Sequence, residues 1–251
     1  MNSWFTVSPL NYIGGKARIL DQLLPVFPEH ISTFVDLFCG GCNVGINTQA
    51  DNYIYNDCNR ELIGLLKMFL RLNTNTILKR MDEIVEHYGF SKTKDHNFAY
   101  YGGNPMKGVS RYNKEPFLQL RQDYNNSPRN NQHYIMLYAL VVFGFNNQMR
   151  FNDKGEYNLP VGKRDFNDVI RRKLQVFVDK LRCRYIMLSY NNNCQKLQIR
   201  SNAKISDDEI MRILGKRGDV RVFTQDFKPF SAGRGENVGN QERLFLCAVQ
   251  R

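Results

Sequence analysis

No apolar run in this chain approaches the roughly 20 residues that a membrane-spanning helix needs, so a membrane role is not expected. Residues 1–10 have no basic stretch followed by an apolar one, which argues against a secretory leader. Low-complexity segments and internal repeats are absent. Cysteine is sparse: Cys39, Cys42, Cys58, Cys183, Cys194 and Cys247 are the only six in 251 residues, too thinly spread for the disulfide framework of a small secreted domain. Cys39 and Cys42 have C-x-x-C spacing, but no second pair and no histidine at ligand spacing accompany them. Reduced, mostly buried thiols in a cytoplasmic protein are therefore expected, with no metal. Acids are also scarce. Against 35 Lys and Arg stand 24 Asp and Glu, a net charge of +11, which points to a polyanionic partner, nucleic acid ahead of an anionic membrane.

What is present is ordinary globular material, 42% hydrophobic and 24% charged, enough for one large domain or a core domain with an inserted module. Thr33-Phe34-Val35-Asp36-Leu37-Phe38 runs into glycines and reads as a buried strand with a tight turn. Tyr53-Ile54-Tyr55 is a second strand, closed by Asn56-Asp57, and residues 61–72 carry apolar residues at helical spacing. This strand–turn–helix–strand–helix order begins an α/β parallel sheet. Residues 77–88, 115–124, 134–143 and 165–181 read as helices. Between the third and fourth of these, residues 144–164 form a loop or hairpin dense in Asn, Lys and Arg. The end of the chain returns to α/β: a buried strand at 185–189, a helix opened by a capping box at Ser206 and Glu209 and ending near Gly215, then strands at 220–224 and 243–249.

A strand ending in an acid, a glycine turn and a second acid at the end of the next strand make a common nucleotide cradle. The glycines admit a ligand close to the backbone and the second acid can bind ribose hydroxyls. Asp36-Leu37-Phe38-Cys39-Gly40-Gly41 followed by Asp57 has this spacing. Upstream lies Asn11-Tyr12-Ile13-Gly14-Gly15-Lys16. Downstream lie Phe145-Asn146-Asn147-Gln148-Met149-Arg150-Phe151-Asn152, Gly155-Glu156-Tyr157-Asn158-Leu159-Pro160-Val161-Gly162, and Leu188-Ser189-Tyr190-Asn191. In this order the segments resemble the adenine-N6 DNA methyltransferases typified by Dam and the restriction–modification methylases.

The resemblance implies a Rossmann-like, S-adenosylmethionine-dependent methyltransferase sheet with an inserted, mostly helical DNA-recognition domain. The catalytic domain would be discontinuous, residues 1–72 and 182–251, with target recognition in residues 73–181. It implies S-adenosylmethionine as cofactor, double-stranded DNA as partner, a cognate restriction endonuclease as companion, and methylation of an extruded adenine in a short duplex site. Tyr12 and Lys16 match cofactor-contacting positions, Asp57 the acid on the ribose, and Asp36 and Gly40 the pocket around the methionine part. Asn146, Arg150 and Pro160 match the DNA interface. Arg150 also stands on its own chemistry, since a planar bidentate donor on a basic hairpin suits guanine N7 and O6. Lys154, Lys163 and Arg164 beside it would hold phosphates.

One part of the pattern is missing. The tetrapeptide D/N-P-P-Y/F/W, whose polar group and backbone carbonyl accept the two N6 hydrogens while its ring stacks on the flipped base, occurs nowhere in the chain. Its place would be between residue 181 and the strand at 185, with a mid-sheet strand beside the first one. The catalytic residues are therefore unknown. Alternatives to a complete enzyme are a catalytically inactive relative that binds DNA, and one part of a split enzyme.

Overall fold

A computed structural model of the chain describes residues 5–12, 14–181, 185–187, 211–212, 218–226 and 241–249. Two compact units emerge, Met1–Ser189 and Tyr190–Arg251.

The first unit begins with α1 (Leu20–Leu23) and β1 (Thr33–Asp36), followed by β2 (Asn52–Asn56) and α2 (Arg60–Arg71). Next come α3 (Thr74–Tyr88), α4 (Lys114–Asn126), α5 (Asn131–Phe143), α6 (Asp168–Lys180) and β3 (Tyr185–Met187). The β-branched and aromatic content of β1 and β2 suits a pleated sheet. They pair in parallel with Phe34 opposite Tyr53 and Asp36 opposite Tyr55. As expected, the fold is α/β.

The helices form where the apolar spacing placed them, and asparagine sets four of their starts. Asn59, Asn73, Asn130 and Asn167 each accept a backbone N–H of the first turn of α2, α3, α5 and α6, filling donors that a helix start leaves empty. α6 accordingly begins three residues later than its pattern suggested. Asp165 is buried outside the helix, where its carboxylate accepts from the Thr93 amide at 2.6 Å and the Thr93 hydroxyl at 2.7 Å. α5 is buried along nearly its whole length and is the hub of the core. Phe69 of α2 meets Tyr138 of α5 edge-on at 5.3 Å and Phe177 of α6 at 5.9 Å.

Two expectations about the sheet change. The helix anticipated between β1 and β2 shrinks to one 3₁₀ turn, Gly45–Asn47. The side chains that would decorate it are used otherwise: Asn47 both donates to and accepts from the Thr6 backbone at 2.8 Å, and Asn43 accepts from the Ser8 amide at 2.9 Å. The strand at 185 lies beside β2, not on the far side of a slot next to β1: Ile54 faces Tyr185 and Asn56 faces Met187. The order is β1-β2-β3, so among the described residues β1 has one neighbour. Its surface agrees, with Val35 43% exposed and Phe38, just past its end, 59% exposed, whereas strands of parallel sheets are ordinarily covered on both faces.

In the second unit β4 (Gly218–Asp226) and β5 (Gln241–Val249) form the expected closing pair, antiparallel, with Gly218 opposite Val249. The helix expected at 206–215 lies outside the described residues except for Met211 and Arg212, which are helical.

Candidate functional site

At the carboxyl ends of β1 and β2 the chain builds a tight junction. The Cys39 amide donates to the Asn56 carbonyl at 2.8 Å and the Asn56 side-chain amide donates to the Leu37 carbonyl at 2.7 Å, so the turn after β1 is clamped to the end of β2. This brings Asp57 under the glycine turn. Its Oδ2 accepts the Gly40 amide at 3.0 Å, and its Oδ1 accepts the Asn59 amide at 2.9 Å and the Tyr12 hydroxyl at 3.4 Å. Gly40 has φ +46°, and a Cβ there would stand 2.9 Å from the Tyr12 ring. Both the backbone conformation and the space require glycine. Burial, then the neighbouring Asp57 charge, pushes the Tyr12 hydroxyl up, which keeps it a donor.

Asp36 sits on the floor of the same junction. Burial lifts its carboxyl to about 6, the Asp57 charge adds to that, and the Gly45 and Phe38 amides and Lys16 oppose it. Its Oδ2 is buried with no hydrogen-bond partner. A buried acceptor without a donor is costly, and a cationic ligand with N–H groups would supply what it lacks. Lys16 reaches back to the Gly14 carbonyl at 2.9 Å. Tyr12, Asp36, Gly40 and Asp57, with the charge of Lys16, are thus brought together. Of the C-x-x-C pair beside them, Cys39 and Cys42 are buried free thiols, whereas Cys58 is exposed.

Residues 144–164 form an irregular hairpin. Gly144 bridges Val161 and Phe151 bridges Tyr157 in antiparallel fashion, and the turn closes at Gly155 with φ +78°. Lys154 lies exposed at the tip, and Pro160, Lys163 and Arg164 are exposed along the returning limb. Arg150 is exposed as well, and it crosses the hairpin: its Nε donates to Asn158 Oδ1 at 2.9 Å and its Nη2 to the Asn158 carbonyl at 3.3 Å. Asn146 takes a left-handed conformation, φ 54°. Its carbonyl accepts the Asn11 side-chain amide at 2.7 Å, which ties the hairpin to the segment carrying Tyr12. Lys163 is partly committed, donating to the Met106 carbonyl at 3.1 Å.

Sequence reasoning missed what holds this hairpin. Tyr157, fully buried, donates to the Leu140 carbonyl at 3.0 Å and so caps the end of α5. Its ring meets Tyr124 edge-on at 6.3 Å, and the Tyr124 hydroxyl donates to Glu61 at 3.3 Å. Glu61 is buried on α2 and also receives Arg129 at 2.7 Å and His133 at 3.1 Å. Burial alone would raise its carboxyl, but the His133 and Arg129 hydrogen bonds overcome that and hold it down at about 2. The visible signal was a glutamate on the apolar face of α2, between Asn59 and Leu62.

The glycine turn and two acids at the strand ends of a parallel sheet thus lie in one unit with a basic hairpin. Comparison with known proteins makes this specific. Residues 12–208 match the D12 class N6 adenine-specific DNA methyltransferase family, and the chain belongs to that family. It is 38% identical over 176 residues to modification methylase StsI of Streptococcus sanguinis and 35% identical over 176 residues to type II methyltransferase M.FokI of Planomicrobium okeanokoites. It is 27% identical over 154 residues to the DNA adenine methylase of Escherichia coli (strain K12). The matches cover 69%, 69% and 61% of this chain, but 23%, 24% and 47% of those proteins. The chain thus spans about a quarter of the first two and about half of the third. Among the described residues no helix is long and apolar enough to cross a membrane.

Proposed function

We propose that this chain carries the S-adenosylmethionine-binding and DNA-reading parts of a site-specific DNA adenine-N6 methyltransferase. The observation that carries the reading is the Tyr12–Gly40–Asp57 junction with the unpartnered Asp36 Oδ2 beneath it. Asp57 would take the ribose hydroxyls. Asp36 would face the cationic methionine end, with Lys16 nearby to moderate its charge. Tyr12, a protonated donor packed on Gly40, would wall the pocket. Bound there, S-adenosylmethionine would supply an electrophilic methyl group to adenine N6, which would lose one proton as the sulfonium S–CH₃ bond is given up. This chain's part is to hold and orient that group and to present the base. Arg150 would read one guanine edge, with Asn146 and Pro160 shaping the interface and Lys154, Lys163 and Arg164 contacting phosphates. Residues 1–72 and 182–251 would act as the catalytic domain around a recognition insertion at 73–181, and a cognate restriction endonuclease would be its companion.

The tetrapeptide whose groups accept the N6 hydrogens in the family pattern is not in this sequence. We infer that a D-P-P-Y-bearing strand comes from outside it, and the exposed Val35 of β1, which has one neighbour among the described residues, with the exposed Phe38 just beyond its end, supports that second, split-enzyme reading. The test is transfer of labelled methyl groups from S-adenosylmethionine to adenine-containing duplex DNA. The chain alone should bind the cofactor but transfer little, and a co-purifying D-P-P-Y polypeptide should restore transfer. No cofactor binding would sink the methyltransferase reading. Binding without transfer under any complementation would leave an inactive DNA-binding relative.

A further inference from the structure

Away from the hairpin, a groove of about 570 Å³ opens between α2 and the start of α5. Arg60, Lys67 and Arg71 line it from one stripe of α2, and Arg129 lines it from the other side. Gly64 lies within that stripe and lets the Tyr134 ring settle against the helix, since a Cβ there would collide with the ring. None of the residues lining the groove is acidic. Glu61, next to Arg60 on α2, has both carboxylate oxygens taken, by Arg129 on one and by His133 and Tyr124 on the other.

Cations at i, i+4 spacing, such as Lys67 and Arg71, repel one another and weaken a helix, so an anion lying over them would relieve a standing cost. The start of α5 lines the groove as well, through Asn130 and Asn131, and brings the positive end of its dipole to it. The stripe starts three residues after Asp57, at the end of the sheet that holds the candidate cofactor junction. Asn59, which caps α2, lies 3.7 Å from Met149 of the hairpin. From Arg60 to Arg71 the helix rises about 16 Å, enough to follow several successive phosphates of one strand.

We propose that this groove grips the phosphodiester backbone of duplex DNA, a second, sequence-independent binding face in addition to the hairpin. The proposal rests on the DNA-methyltransferase reading and extends it. The test uses the triple variant Arg60→Ala/Lys67→Ala/Arg71→Ala, which leaves Glu61 and Arg129 intact, with circular dichroism and thermal melting to verify the fold. Fluorescence anisotropy on cognate-length random duplexes is read across a salt series. The parent should bind. The variant should bind about tenfold more weakly or worse, with a log–log salt slope shallower by about two to three, near 0.9 for each phosphate that is no longer neutralised. Equal affinity and slope for parent and variant would overturn the groove while leaving the hairpin's role standing. A parent that binds no duplex would overturn the DNA reading and the groove together. In a parallel arm, equilibrium dialysis with pyrophosphate separates a small-anion site: loss of pyrophosphate binding in the variant, with DNA affinity and slope unchanged, would refute the proposal.

Discussion

The Tyr12 hydroxyl and the Asp57 carboxylate, 45 residues apart in sequence, meet at 3.4 Å over the glycine turn. That carboxylate also takes the Gly40 and Asn59 amides, so it organises backbone as well as offering itself to a ligand. Asp57→Ala should therefore weaken S-adenosylmethionine binding in calorimetry by at least about tenfold and lower stability in urea by about 1–3 kcal/mol, because the buried Gly40 amide and the half-buried Asn59 amide lose their acceptor. Tyr12→Phe keeps the ring on Gly40 and should have a smaller effect on both. A double-mutant cycle should show coupling of about 0.5 kcal/mol or more. Additive effects would mean that the 3.4 Å hydrogen bond carries no energy.

Asp36 yields a pH signature. Its carboxyl stands at about 6 in the folded protein against an ordinary value of 3.8. The folded state thus holds the proton more tightly, and this group's contribution to stability falls as pH rises from about 4 to 6. Above that window the loss is about 3 kcal/mol. Asp36→Asn should be the more stable protein at pH 7.5, and the difference should shrink toward zero near pH 4. In the parent, cofactor affinity should rise through pH 6 as the carboxylate ionises, a trend the variant should lack. Parallel urea-midpoint profiles for the two proteins from pH 4.5 to 8 would show that Asp36 is not the group responsible.

Arg150 and Lys154 should separate base reading from phosphate binding. Arg150→Ala should cost about 1–3 kcal/mol on the cognate site and relax discrimination at one base pair, whereas Lys154→Ala should weaken all sequences alike. Asn158→Ala frees the Arg150 guanidinium from its hydrogen bonds across the hairpin and should blur the same position because the guanidinium is no longer preorganised. Equal losses on cognate and random duplexes for Arg150→Ala would reduce that residue to a phosphate ligand.

Glu61 should behave as a structural anchor. Its carboxyl is held at about 2 against an ordinary 4.5; a depressed value stabilises the fold above pH 4.5 and is lost as pH falls toward 2. Glu61→Gln should lower the urea midpoint at pH 7, by about 2 kcal/mol in stability, because Arg129, His133 and Tyr124 lose a charged acceptor. The gap from the parent should narrow in acid. Cofactor affinity should be unmoved; a large change there would place Glu61 in the binding site.

Local pattern alone revealed helices such as α2, because apolar spacing is written into consecutive residues: Leu62, Leu65, Leu66 and Phe69 mark its buried face, while the Asn59 cap that starts it emerged from the structure. It also marked Asp36, Gly40 and Asp57 as one set, since a glycine turn between two strand-end acids is itself a local pattern, and 144–164 as a basic loop or hairpin, whereas Tyr12 and Lys16 joined the set only through the family resemblance. Strand position was not local. β3 has the same sequence whichever neighbour it pairs with, and only the packed chain placed it beside β2 and left β1 with one partner among the described residues. The Glu61–His133 pair, 72 residues apart, and the Arg150–Asn158 clasp likewise arose only in three dimensions. A buried charge and a hydrogen-bonded guanidinium are determined by which surfaces close over them, and no spacing rule along the chain encodes that closure.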